Sequence, residues 1–204
     1  MPPGLKIKPN ADVRASHGLR AVTLSFAVLF LTSMTQIAIF ASTGSVALLT
    51  DLIHNMGDAL TAVPLGLAFV LRSRRIEREA EVLIIAAIIV SALVAGLEAV
   101  RRLIYPHPPG RLLVLAAGGI IGTIGNWWAS RIRTKAGREL ENAALMADAD
   151  HAAIDAFVSL TVVASAGLVY LGFPIADPIV ALASVVTIVA ITVHAWRTIR
   201  DQSN

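Results

Sequence analysis

The stretch Val46-Ala-Leu-Leu-Thr-Asp51-Leu-Ile-His54-Asn-Met-Gly-Asp58 decides how this chain is read. It lies in an apolar run that reaches about Leu71, and it sets a histidine four residues ahead of an aspartate. The same spacing returns at His151-Ala-Ala-Ile-Asp155, inside another long apolar run. On an α-helix, residues i and i+4 share a face, one turn apart. Each stretch therefore aims an imidazole and a carboxylate in one direction. Two such helices side by side would offer two nitrogens and two oxygens, a donor set for a tetrahedral divalent ion of the zinc type.

Composition points the same way. Of 204 residues, 56% are hydrophobic, against about 45–50% in a soluble domain. The excess is gathered into runs near the roughly 20 residues that cross a bilayer as a helix. The chain has no cysteine, which excludes a disulfide framework and a thiolate metal site. The net charge of +3 is small, and the basic residues sit in short clusters between apolar runs. With no basic patch interleaved with aromatics, nucleic acid is not an expected partner; the lipid bilayer is.

Working outward, six spans are expected, at about 19–41, 46–71, 80–104, 112–130, 142–171 and 177–196. The second carries Pro64, a potential kink that a membrane helix tolerates. Ser42-Thr-Gly-Ser45, Tyr105-Pro-His-Pro-Pro-Gly110 and Gly172-Phe-Pro174 break the chain between spans. Basic loops are expected at Arg72-Ser-Arg-Arg75 with Arg78, and at Arg131, Arg133, Lys135 and Arg138. Basic residues mark the cytoplasmic side, so both termini are placed in the cytoplasm; Arg101, Arg102 and Arg111 are the exception to the alternation. The expected fold class is all-α, a polytopic membrane protein of six transmembrane helices. Residues 1–18 form a flexible cytoplasmic tail, 19–198 the transport domain and 199–204 a short C-terminal tail. A cleaved signal peptide is not expected, since the first apolar run is too long for one.

The paired spacing is specific. Among five histidines and eight aspartates, His17, His107 and His194 have no aspartate four residues on, and two such pairs arise by chance at roughly the per cent level. Ionisable groups in membrane spans are costly and functional by default. The bland alternative is two unrelated hydrogen-bonded helix contacts. His54, Asp58, His151 and Asp155 are thus the expected metal ligands. Empty, they can bind protons, and metal must displace those protons, which is the physical basis of metal/proton antiport. Asp51, Asp148 and Asp150 are candidates for orienting the ligands or forming a proton path, against ordinary helix-start roles. Asn126 is read as a hydrogen bond between helices, Glu98 as a local pair with Arg101 and Arg102, and Asp177 as a helix cap ahead of Pro178. Trp127, Trp128 and Trp196 are read as interfacial anchors, and His194 as a helix-end cation.

At Gly44-Ser-Val-Ala-Leu-Leu-Thr-Asp-Leu-Ile-His-Asn-Met-Gly-Asp58 and Ala147-Asp-Ala-Asp-His-Ala-Ala-Ile-Asp155 the sequence resembles the cation diffusion facilitator family of heavy-metal/proton antiporters. The six-span layout, the proline-rich break and Asp177-Pro-Ile-Val add to the likeness, which covers about residues 19–200. The resemblance implies that His54, Asp58, His151 and Asp155 are the transport-site ligands, with Zn²⁺ the favoured substrate and Cd²⁺ or Co²⁺ further ones. It implies no cofactor and no enzyme activity. It also implies alternating access, export from the cytoplasm, a homodimer and, with the alanine-rich composition, a bacterial inner membrane. The sequence stops after the sixth span, where the family's cytoplasmic metal-binding domain follows, so that domain is expected to be missing. Three other readings remain open: a transporter of another substrate using the His/Asp pairs as a proton relay, a membrane subunit without flux of its own, and an intramembrane metalloenzyme, for which no motif is present. His54→Asp is expected to move metal preference from Zn²⁺ towards Mn²⁺ in competition uptake, and an unchanged preference would remove His54 from the ligand set.

Overall fold

A computed structural model describes residues 11–71 and 74–201. Six helices follow one another: α1 Ala11–Thr43, α2 Val46–Leu71, α3 Arg74–Ile104, α4 Leu112–Leu140, α5 Ala143–Tyr170 and α6 Ala176–Asp201. No strand occurs among the described residues. With the bilayer as solvent, a helix satisfies its own backbone groups, so an apolar run of this length has little alternative. Ser16–Thr43, Leu112–Leu140 and Asp148–Tyr170 are each long and apolar enough to cross a membrane unaided. Leu31, Leu97, Phe157 and Val186 stand exposed on the outer surface, where a lipid-facing side chain belongs.

α2 touches every other helix. α4 packs most extensively on α5 and α1, whereas among the described residues α3 leans on α2 and α6 alone. The core is built of small residues. Ala47, Ala99, Ala166 and Ala181 join Val46, Leu48, Leu115 and Val162 at one end, and Ala21, Val22, Ala136, Leu140 and Leu145 form a second cluster at the other. Small side chains let membrane helices approach closely, and dispersion then replaces a hydrophobic drive that lipid cannot supply.

The expected breaks hold, with Gly44 turning α1 into α2 at φ 65°. α2 begins on a shared cap. The Ser45 hydroxyl accepts from the Leu48 amide at 3.1 Å and donates to the Asp177 carboxylate, which also takes the Val46 amide at 2.8 Å. Asp177 was expected to cap its own helix; its carboxylate instead ties α6 to the start of α2, with Ser165 of α5 at 3.4 Å. Glu98 pairs with Arg101 and Arg102 at 3.0 and 2.9 Å, as expected.

Four boundaries differ from the sequence reading; at one, α6 runs to Asp201 and not to about 196, so residues 199–201 of the expected C-terminal tail are helical. α1 starts at Ala11, so residues 11–18 of the expected flexible tail are helical, and His17 lies 3.7 Å from Glu139 of α4. Residues 1–10 and 202–204 of the two tails, and Arg72 and Ser73 of the first basic loop, lie outside the described residues; Arg74 and Arg75 are already in α3. α4 runs to Leu140, ten residues past its expected end at Ser130, so the second basic cluster is helix, not loop. Arg and Lys are good helix formers, and the helix stops only at Glu141, in the left-handed region at φ 51°. Arg131 stacks over the Trp127 ring at 4.4 Å, while Arg133 is buried, 1% exposed. The side chains of His194 and Trp196 lie outside the description.

Glycines on α4 set its distance from its neighbours. A Cβ on Gly119 would fall 2.8 Å from Val163 Cγ2, 3.0 Å from the Val163 nitrogen and 3.1 Å from the Ser159 oxygen. Backbone atoms cannot step aside, so Gly119→Ala forces α4 and α5 apart. Overpacking of this kind costs about 1–3 kcal/mol. The variant is expected to unfold at a lower temperature in detergent; an unchanged midpoint would contradict the close approach.

Candidate metal centre

The centre is a ladder between α2 and α5, which run antiparallel. His54 Nε2 meets Asp155 Oδ1 at 2.7 Å, and His151 Nε2 lies 3.5 Å from Asp58 Oδ1. Within each helix the i,i+4 spacing works as the sequence implies: His54 to Asp58 is 3.5 Å and His151 to Asp155 is 3.5 Å. The register is the same at both rungs, His54 with Asp155 and Asp58 with His151, so each histidine of one helix faces an aspartate of the other. Every one of the four offers a donor atom, and these atoms all lie within 4.8 Å of one another. The two imidazole rings stand nearly edge to face, 5.8 Å apart at 73°.

The donor set suits a small divalent ion. Ligand bonds of about 2.0–2.2 Å in a tetrahedron require donors about 3.3–3.6 Å apart. Three of the four ladder contacts are already 3.5 Å. The His54–Asp155 contact at 2.7 Å is a hydrogen bond, which an ion would have to open and whose proton it would have to displace. Access is one-sided: the side chains of His54, Asp58 and Asp155 are 7, 8 and 0% exposed, that of His151 27%.

One turn towards the start of α2, the ladder continues as Asp51 against Ser159, whose hydroxyl donates to Oδ1 at 2.8 Å. Gln36 of α1 donates to Asp51 Oδ2 at 2.6 Å, Asn55 donates to the Gln36 carbonyl at 2.9 Å, and Asn126 of α4 donates to Asn55 Oδ1 at 2.6 Å. All five side chains are buried. A Cβ on Gly122 would fall 2.7–2.8 Å from Gln36, Asp51 and Ser159, so only glycine leaves room for this network. It crosslinks four helices directly behind the four clustered residues, and hydrogen bonding is what keeps such polar groups tolerable when buried, although Asn126 Oδ1 has no partner among the described residues.

Asp51 is therefore not a helix-start residue at an interface; it is the hub of this network. Asn126 joins helices, as expected. Asp148 sits one turn from His151 towards the start of α5, beside Arg133 Nε at 3.0 Å. Asp150 is exposed and outside the cluster. Sequence reasoning passed over Gln36, Asn55, Ser159 and Arg133. Gln36 carried a signal, a long polar side chain in the middle of an apolar run; Ser159 lies four residues beyond Asp155 and so on the ligand face.

A family model described as the cation efflux transmembrane domain matches residues 22–201. Two Mycobacterium tuberculosis proteins, each named a probable cation efflux system protein, are 44% identical over 191 residues, covering 88% of this chain and 58% of theirs. An uncharacterized transporter of Synechocystis is 32% identical over 176 residues, covering 78% of this chain and 55% of its own length. The chain thus spans little more than half the length of these relatives.

Asp51 accepts from three donors, so an amide at that position would set its NH₂ against one of them. Asp51→Asn is expected to cost about 1–3 kcal/mol, read as a lower unfolding midpoint, and to weaken Zn²⁺ binding through displaced ligands. Unaltered stability and binding would contradict the hub role.

Proposed function

The chain belongs to the cation efflux family, and on that premise we propose that it exports a divalent metal ion, Zn²⁺ by preference with Cd²⁺ and Co²⁺ as further substrates, in exchange for protons. One observation carries this reading: two imidazoles and two carboxylates from antiparallel α2 and α5 bring donor atoms within 4.8 Å inside an apolar bundle. Such a set is expensive to bury as mere helix glue. It has no thiolate, so it can hold zinc and let it go.

The exchange follows from the donors themselves. The ion opens the His54–Asp155 hydrogen bond and takes both groups. Protons return to them when the ion leaves, restoring the short contact. Every proton bound is a charge the departing metal no longer supplies, so the site never faces the bilayer interior as two bare carboxylates. Alternating access delivers the ion from one face to the other. The protein acts as a homodimer in a bacterial inner membrane, with both termini in the cytoplasm. The basic residues Arg131, Lys135 and Arg138 at the end of α4 then lie on the cytoplasmic side, as the positive-inside rule requires. No catalytic step is assigned.

The test is Zn²⁺ flux into proteoliposomes holding the purified chain, with and without a pH gradient. Gradient-dependent flux that Asp155→Ala abolishes is expected; proton flux that needs no metal would favour a proton relay for another substrate. Binding has its own signature. Histidine ordinarily titrates near 6.5, so Zn²⁺ affinity is expected to be weaker at about pH 5.5 than at about pH 7.5. An affinity flat across that interval, by indicator competition, would contradict imidazole ligands.

A further inference from the structure

Arg133 is the odd charge in this bundle. It lies on the last third of α4, 1% exposed, and its Nε donates to Ser25 of α1 at 3.1 Å. The same Nε is 3.0 Å from Asp148 Oδ2. Its terminal nitrogens, Nη1 and Nη2, are buried and make no hydrogen bond. An arginine fork holds a carboxylate best with two parallel hydrogen bonds. Here the fork and the carboxylate touch side-on, and Asp148 Oδ2 receives no aligned hydrogen bond. The pair is close, charged and only half made.

Its position gives it a task. On α5, Asp148, His151 and Asp155 follow at i, i+3 and i+7, a continuous row on one face. Asp148 extends the ligand row by one turn, past His151, the most exposed of the four ligands. The Asp148 carboxylate is within electrostatic reach of both Asp58 and His151. Its side chain is 22% exposed, while Arg133 beside it is 1% exposed. An ion reaching His151 from the α4–α5 end therefore passes Asp148, and Arg133 is the cation already there.

We propose that Asp148 is a staging ligand for the incoming divalent ion and that Arg133 is its tethered counter-cation, displaced when the ion arrives and returned when the ion moves on to the four-residue site. The inference rests on the metal-transport reading of that site. Without Arg133, Asp148 would be a bare carboxylate at a half-buried position whenever no metal is present. Without Asp148, Arg133 would be a buried cation repelling the substrate. Exchange of one cation for another keeps Asp148 partnered throughout, so capture does not require a carboxylate to be stripped of all partners.

The two single substitutions then act in opposite directions. Arg133→Met removes the competitor and Asp148→Asn removes the ligand. Initial Zn²⁺ flux into proteoliposomes is measured against Zn²⁺ concentration for the whole chain. Asp148→Asn is expected to raise KM about tenfold, and Arg133→Met to lower KM by up to about tenfold through the unmasked field. If either single variant fails to fold, the Arg133→Met/Asp148→Asn double variant carries no buried charge at this place and reads out the same question. Its KM stays raised if Asp148 stages the ion, and returns to the wild-type value if the pair is only a brace between helices. Singles that shift KM alike, or a double variant with wild-type KM, would overturn the proposal. Asp155→Ala is run beside them. Its loss of flux together with wild-type KM in the double variant overturns the staging role alone, and flux that survives Asp155→Ala overturns the four-ligand reading with it.

Discussion

The antiparallel contact of α2 with α5 sets the terms for everything else in this bundle. It puts His54 against Asp155 and Asp58 against His151, and it does so where an isolated charge would be prohibitively costly. Each carboxylate is tolerable because an imidazole faces it, and each imidazole because a carboxylate does. A one-residue slip between the helices would break both rungs together. The rest of the structure reads as a means of fixing that register: Asp177 pins the start of α2 to α6, and Ser159 locks the next rung to Asp51.

α4 supplies the closeness this register needs. Gly118, Gly119, Gly122 and Gly125 leave their space to α1, α2 and α5. The result is asymmetric. Behind the four clustered residues, towards the start of α2, Gln36, Asp51, Asn55, Asn126 and Ser159 form one hydrogen-bonded block. On the other side the ligand row runs on to Asp148 and the half-made pair with Arg133. A network joined by many hydrogen bonds and a half-made ion pair flank the same four residues. Change is easier at the second than at the first.

The legible part of this architecture was the part with periodicity. The clustering of His54, Asp58, His151 and Asp155 announced itself because i,i+4 repeats twice, and the helices because apolar runs are long and Pro and Gly end them. The network around Asp51 was hidden because its members come from four helices, and only Asp51 and Asn55 share a helical spacing that the sequence displays. Arg133 was hidden for a different reason. It sits among Arg131, Lys135 and Arg138, and a basic cluster after an apolar run reads as a solvated loop. Only the continuation of α4 through that cluster turns one of its four cations inward. Asp177 shows the limit of local rules, since the Asp-Pro pair promises a cap without saying which helix receives it.

The central claim is that His54, Asp58, His151 and Asp155 together hold the metal ion. Zinc-edge X-ray absorption on the purified chain with one equivalent of Zn²⁺ tests it most directly. The account predicts four nitrogen or oxygen neighbours at about 2.0–2.1 Å with the scattering of two imidazoles, reduced to one imidazole in His151→Ala. A spectrum dominated by six oxygens, or one that His151→Ala leaves unchanged, would contradict it.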